Sequence, residues 1–588
     1  MLALLSVAAL SVGLLPGASA APVPDIGFGP DGLVTSSATA AYRDALAMAD
    51  GSVVAVGGAD DRLASTDAAG LLVRYDTTGT LEPTFGTAGT VSFLRPGFRI
   101  AFSHVEHGPK GTLVAFGQYA RVGGECGVAV ARVLAATGAP DLAFGSGGLV
   151  LRGIGSHLVC DVTGDSGQAQ QFGGGTVLPD GRVVVTAAYG PGTDGHPSDG
   201  MRPAVLEMAP DGRPEPSFGG GTGRVVLATS VQRVGAPAAT ADGRLLVGIA
   251  VRSSHPVRAT SGLVPVDAVG AVRLLPSGAL DASFGRNGTT LRRPFGFFAG
   301  PGTVSVVVSP RGGVLVAGSL DVVGETDGYS DDALVAAFTS TGAVDATFGA
   351  GTGVARIRAM WVNRLVRGLD GSLIVVGAEN NGPFSAVGPP PMYGRVAHLS
   401  ANGTPDTTWG VGGVRTLRDP GTQQSSQAGV AVGADGTLTF AGRRQVNHLD
   451  PYSVEPAVFE ATLTRWVVGP AVRHAVTVVA LPTYAGGIAR ACGRTEATAC
   501  SVRTTWYLGG AAWPIESHEP SRAVVTVQRR GYDRLWHTVA VVTVFVTDGG
   551  TYRAAGRLVS VGTYRLRAAV PASAATSWRA TAWVYLHR

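Results

Sequence analysis

A chain of 588 residues is too long for one ordinary domain, although repeat architectures exceed that limit. It is rich in glycine (86 residues) and poor in charge (15%), which suits short strands joined by tight turns and excludes wholesale disorder. The net charge of +4 comes almost wholly from arginine, with Lys110 the lone lysine, and these cations are scattered rather than set in a stripe. No nucleic-acid partner is therefore expected.

In chain order, residues 1–20 read as a signal peptide. An apolar run over 2–15 precedes Ala18-Ser19-Ala20, the small-x-small pattern that signal peptidase accepts, although the usual positive n-region is missing. The run falls short of the ~20 residues that span a bilayer, and no later segment is long enough to cross one. The expected setting is extracellular, secreted or loosely associated with the cell surface.

Residues 21–467 carry a repeat. Asp-x-x-Phe-Gly-x-x-Gly, with Glu sometimes replacing Asp, recurs at 25–32, 82–89, 141–148, 215–223, 281–288, 345–353 and 406–413, two copies holding one extra residue. Its aromatic members are Phe28, Phe85, Phe144, Phe218, Phe284, Phe348 and Trp409. Each copy is followed by a short strand, then by a second strand ending in a turn, usually Asp-Gly as at Asp50-Gly51 or Asp370-Gly371. Asp-Gly tolerates the positive φ of a tight hairpin. A β-branched strand such as 53–56 comes next, then a loop of variable length, then a fourth strand. Four strands per unit and seven units predict an all-β, seven-bladed β-propeller. The first motif copy and its strand, 28–34, would complete the last blade and close the ring, removing two sheet edges. The motif aromatic is expected to plug the gap between blades, with the acidic residue capping its own turn.

The pattern x-Asp-Gly-x-ϕ-ϕ-ϕ-x-Gly followed by Leu-Asp-x-Ser-Phe-Gly, clearest at 242–248 and 280–285, resembles the delta-60 repeat of bacterial exported and surface proteins. The resemblance covers about 22–466. It implies a propeller-like array at the cell surface and assigns no chemistry.

Strand direction alternates within a blade, so the connections between second and third strands share one face with the blade-to-blade connections. These connections, 57–70, 119–127, 189–202, 252–269, 320–332, 379–394 and 443–456, vary in length, whereas the Asp-Gly face hardly varies. A rigid frame with one variable loop face places function on that face. Three groups there are candidate binding residues. Asp321, Glu325, Asp327, Asp331 and Asp332 form an acidic loop able to hold calcium, though not with EF-hand spacing. Asp194, His196 and Asp199 pair acid with base. Phe384 and Tyr393, beside Pro389-Pro390-Pro391, offer a stacking surface. His104 and His107 lie three apart on an innermost strand, where alternation sends them to opposite faces. The ionisable groups of innermost strands (Asp44, Glu106, Arg364 and Arg367) read as scattered, so no ring of carboxylates or histidines is expected in the channel.

Four cysteines in an exported chain suggest two disulfides, with Cys126–Cys160 and Cys492–Cys500 the pairings favoured by proximity and by the shared loop face. Residues 468–588 leave the repeat, and five of the eight tryptophans fall after residue 500. Alternating runs at 475–480, 502–508, 523–529, 538–546, 563–570 and 580–585 predict an Ig-like β-sandwich. The stretches Gly550-Thr551-Tyr552 and Gly562-Thr563-Tyr564 are part of what resembles the Ig-like modules of actinobacterial exported proteins. The expected function is non-catalytic binding of a glycan, peptide or cell-wall ligand by the variable loops. The alternative is a propeller hydrolase or lyase acting on a polysaccharide, and a third reading is a purely structural surface component.

Overall fold

The computed structural model describes residues 22–25, 27–37, 39, 41–58, 67–121, 125–154, 170–189, 201–252, 257–259, 262–264, 267–292, 303–309, 311–322, 330–379, 393–417, 425–447, 458–467, 500–501, 505–511, 522–530, 535–545, 551–557, 560, 563–570, 579–580 and 584–587. The chain divides into two compact units. One comprises 24–407 and 411–467, the other 1–23, 408–410 and 468–588.

The larger unit is all-β, built from successive antiparallel sheets. Tyr42–Ala47, Val53–Gly58, Gly70–Tyr75 and Thr90–Phe93 form the first, and Phe98–His107, Thr112–Arg121, Cys126–Leu134 and Leu149–Gly153 the second. Four more four-stranded sheets follow, with innermost strands Gln170–Val177, Arg233–Ala239, Ser305–Val308 and Met360–Arg367. The last begins at Ser425–Val432, and its strand Phe459–Val467 pairs with Leu33–Ser36 from the start of the chain. Each innermost strand packs on the next, and Ser425–Val432 packs on Tyr42–Ala47. A closed ring of radial antiparallel sheets is a β-propeller.

The core lies between sheets because both faces of every sheet are covered. Val54, Leu72 and Phe85 of the first sheet pack against Ile100, Phe102 and Leu113 of the second. Phe28 and Val34 join Tyr42, Ala441 and Leu463 in the cluster that seals the ring.

The repeated motif is the interlock. All seven of its aromatics are buried. The amide after the aromatic donates to the next sheet's outer turn: Gly86 to the Thr137 carbonyl (2.7 Å), Gly145 to Asp211 (2.9 Å), Gly285 to Thr341 (2.8 Å) and Gly29 to Thr78 (2.7 Å). The acidic residue caps its own turn, as Asp281 Oδ1 does by accepting from the Ser283 amide at 3.0 Å and hydroxyl at 2.6 Å. An arginine adds a clamp that the motif does not reveal. Arg132 lies 4.5 Å over Phe144 and donates to the Pro210 carbonyl at 2.6 Å. Arg465 lies 3.9 Å over Phe28 and reaches the Gly51 carbonyl at 2.9 Å.

Six of the innermost strands are bulged, all but Ser305–Val308. Their pairing skips Arg43, Ser103, Gly173, Asn363 and Ala428, and in the fourth sheet Gly235 and Ala236. Glycine on the second strand makes the room: a Cβ on Gly57, Gly117, Gly377 or Gly442 would run into the carbonyl of Ala41, Ala101, Trp361 or Ser426. That requirement explains the glycine closing the pattern in these four sheets, whereas Gly248 of the fourth sheet faces the Val304 side chain. A bulge re-aims side chains, here toward the propeller axis.

In the smaller unit, Arg522–Arg530 pairs with both Trp536–Phe545 and Thr563–Val570, and Val584–His587 joins the latter. Thr505–Ala511 and Thr551–Arg557 form a separate pair. The expected strand over 475–480 lies outside the described residues.

Candidate functional site

The bulges bring four ionisable side chains from three sheets to one place on the axis. Asp44 comes from the first sheet, His104 and Glu106 from the second, and Arg364 from the sixth. His104 Nδ1 lies 2.5 Å from Asp44 Oδ2, and its Nε2 lies 3.1 Å from Glu106 Oε1. Arg364 Nη2 reaches across to within 3.6 Å of Asp44 Oδ2 and 3.4 Å of His104 Nε2. Glu106 Oε2 accepts from the Val177 amide (2.9 Å) and the Thr176 hydroxyl (3.1 Å), tying in the third sheet. The imidazole stacks on Phe116 at 5.6 Å between ring centres. Asp44 Oδ1 lies over Gly429 and, among the described residues, accepts no hydrogen bond.

Burial sets the electrostatics. It pushes the Asp44 carboxyl up, but Arg364 and His104 outweigh it and hold the group below the usual carboxylate range. For Glu106 burial acts in the same sense and is outweighed by His104 and the Val177 amide, so its pKa is also lowered. Burial and Arg364 push the imidazole down, yet Asp44 and Glu106 reverse that and raise its pKa. A carboxylate thus lies within hydrogen-bond distance of each imidazole nitrogen, and Arg364 Nη2 shares the Nε2 side.

Above this cluster lies a cavity of about 390 Å³. Its walls are drawn from all seven innermost strands, and Arg43, Ser103, Thr303, Trp361, Asn363 and Arg443 contribute. The lining lies toward the starts of those strands and the ends of the second strands (Ala378, Gly442), the end from which the variable loops leave.

The expectation of scattered channel charges is thus corrected, because Asp44, Glu106 and Arg364 converge on His104. Arg367 stands at the far end of its strand and is absent from the cavity wall. His107 is exposed, its Nε2 3.2 Å from the Ala47 carbonyl oxygen, on the opposite side from His104 as alternation requires. A signal was available in the sequence: Asp44, His104 and Arg364 each stand six residues before the turn positions Asp50, Lys110 and Asp370. Superposing the repeats on their turns places the three at one level of the axis.

Of the loop candidates, Asp194, His196, Asp199, Glu325, Asp327 and Phe384 lie outside the described residues. Asp321 and Asp331 pair across a hairpin formed by Val314–Val322 and Ser330–Phe338, so their backbones belong to strands rather than to a loop. Asp332 is buried; it accepts from the Ala359 amide at 2.8 Å and bonds Arg356 Nε, which commits it to the outermost strand of its own sheet and the connection that follows. Tyr393 is half-buried and its carbonyl accepts from the Glu379 amide at 2.7 Å. Cys126 is buried and disulfide-bonded. Cys500 begins a two-residue strand paired with Val584–His587, and Cys160 and Cys492 lie outside the described residues.

No family model matches the chain and no curated protein matches it. Among solved structures, the PQQ-bound aldose sugar dehydrogenase of Streptomyces coelicolor aligns over 74% of this chain and 98% of its own, at 12% identity and a TM-score of 0.30. A glycoside hydrolase family 43 arabinoxylan arabinofuranohydrolase of Bacillus subtilis aligns over 94% and 96%, at 13% identity and a TM-score of 0.26. A family 43 β-xylosidase/α-arabinofuranosidase from a compost metagenome aligns over 52% and 95%, at 11% identity and a TM-score of 0.23. Scores this low leave the fold resting on the sheets themselves, and the chemistry of those proteins remains theirs.

Proposed function

We propose that the chain is an exported, non-catalytic binding protein, a seven-bladed propeller of delta-60 type followed by an Ig-like module. Its ligand, a glycan, peptide or cell-wall component, enters the axial cavity from the variable-loop face. The observation that carries this reading is the Asp44–His104–Glu106 clasp with Arg364 at the cavity floor. A glycosidase needs two carboxylates facing each other across room for a sugar and water. Here the imidazole fills that space, with Asp44 Oδ2 and Glu106 Oε1 both upon it. The same cluster suits a preformed floor whose shape and charge do not change when a ligand arrives. Within this reading Cys126 pairs with Cys160, tying two neighbouring loops of the binding face, and Cys492 with Cys500.

The test is retention of the full chain on immobilised polysaccharides and cell-wall preparations, run beside an assay for released reducing ends. Retention without release supports binding, and release of reducing ends contradicts it.

A further inference from the structure

We infer that the axial cavity is a site for an uncharged sugar of monosaccharide size, free or as one unit of a glycan, held by the neutral groups of Ser103, Asn363 and Ser426 rather than by the charges of the floor. The inference rests on the reading of the cavity as a binding site and goes further by assigning the ligand's class.

The charges around the cavity already meet one another. Asp44 Oδ2 lies on His104 Nδ1 and within 3.6 Å of Arg364 Nη2. Glu106 stands on the other ring nitrogen and is occupied as well by the Val177 amide and the Thr176 hydroxyl. Arg43 and Arg443 are engaged too, Arg443 with the Phe459 ring at 4.3 Å. A ligand ion of either sign would have to displace an existing partner or stay unpaired, and both are costly away from water. No group of residues able to hold a metal ion occurs among the described residues.

The groups left over are neutral, and they mix donors with acceptors. Ser103, skipped by the pairing of its strand, and Ser426 are half-buried on the cavity wall, and neither hydroxyl makes a hydrogen bond among the described residues. Asn363 gives one amide hydrogen to the Gln427 carbonyl at 2.7 Å, which leaves Oδ1 and the second hydrogen. That bond fixes the amide, so its open edge is preorganised. At the floor Asp44 Oδ1 is a buried acceptor with no donor among the described residues. A hydroxyl donates and accepts at once, whereas a carboxylate only accepts and an ammonium only donates. A ligand made of hydroxyls is therefore the one that suits this lining. Trp361, half-buried on the same wall, adds the aromatic body that suits the C–H faces of a sugar ring. The volume of about 390 Å³ stands at the small end of ligand sites.

The experiment is calorimetric titration of the full chain with D-glucose, D-galactose and D-mannose, each beside the uronate and the hexosamine of the same configuration. At least one neutral hexose is expected to bind, at least about tenfold more tightly than either charged counterpart. Its affinity should change less than about twofold between low and moderate salt. Ser103→Ala and Ser426→Ala should each weaken it roughly two- to tenfold, the loss of one hydrogen bond. Neither should move the melting temperature, because neither hydroxyl has a partner to lose. Silence from all three hexoses, a uronate or hexosamine that binds as tightly as its neutral counterpart, or full affinity in the double serine variant overturns the inference. The hexose that binds is then added to the chain retained on the polysaccharide panel. Elution supports a glycan unit as the ligand, and retention that the hexose does not reverse overturns the assignment of the cavity to that glycan. Hexose binding without retention supports the free sugar: the inference then stands while the reading of a polysaccharide binder fails. Released reducing ends mark that second failure independently.

Discussion

Asp44 and His104 stand on the innermost strands of neighbouring sheets, and Asp44 Oδ2 lies 2.5 Å from His104 Nδ1 although 60 positions separate them. Both side chains are under 5% exposed. A buried pair of this kind stabilises little relative to a well-packed apolar pair, but removing one partner strands the other without compensation. Asp44→Ala is therefore expected to cost about 3 kcal/mol or more, measured by urea denaturation. His104→Ala, which leaves Asp44 with Arg364, should cost less than the double variant.

The same cluster gives stability a ceiling and a floor in pH. The groups facing His104 are Asp44, Glu106 and Arg364. Its raised pKa contributes stability that is whole below its ordinary value of 6.5 and is lost as pH rises through the raised one. Asp44 and Glu106, both lowered, contribute stability that is whole above their ordinary values and is lost as pH falls through the lowered ones. His104→Gln should flatten the alkaline limb of a melting-temperature profile while leaving the wild-type limb steep. An unchanged alkaline limb would contradict a raised pKa at His104.

Glu207 breaks the arginine clamp of the third sheet. It stands where Arg74 and Arg132 stand in the first two sheets, it is almost fully buried, and it bonds Arg182 Nη1. Burial, only partly offset by Arg182, pushes its carboxyl up to about 7. A raised acid carries a penalty that grows as pH rises from its ordinary 4.5 to about 7 and then stays constant. Glu207→Gln should accordingly add about 1 kcal/mol above pH 7 and nothing below 4.5, by thermal or urea unfolding at the two pH values.

Gly377 faces the bulge that positions Arg364. A methyl group there meets the Trp361 carbonyl, and overpacking of that kind costs about 1–3 kcal/mol. Gly377→Ala should both lower stability and weaken ligand retention, whereas Gly111→Ala, with open space around its Cβ, should affect stability through its positive φ and leave retention unchanged.

The disulfide at Cys126 makes a separate prediction. Peptide mapping under non-reducing conditions should recover Cys126 joined to Cys160. Replacing both by serine should cost roughly 3 kcal/mol on loop-entropy grounds.

Much of the ring was legible because each signal was local and repeated. The Phe-Gly motif, the Asp-Gly turns and the early strand ending at Ser36 each mark one feature of a sheet, and Leu33–Ser36 does pair with Phe459–Val467. The axial cluster was not legible in the same way. Arg364 and His104 are 260 positions apart, and strict two-residue alternation misplaces side chains wherever a bulge intervenes. The bulges had a trace in the glycines at 57, 117, 377 and 442, whose need for space shows only once the innermost carbonyls are placed. Asp332 misled for the opposite reason: a cluster of acids reads as a loop, whereas Asp321, Asp331 and Asp332 belong to paired strands and the Asp332 carboxylate turns inward.

The most direct test of the axial site compares the wild-type chain and Arg364→Gln on one polysaccharide panel, scoring retention and reducing ends together. Wild-type retention without new reducing ends, lost in a variant that still unfolds cooperatively, is the predicted result. Reducing ends released by the wild type, or retention that survives the loss of Arg364, would contradict a binding site on the propeller axis.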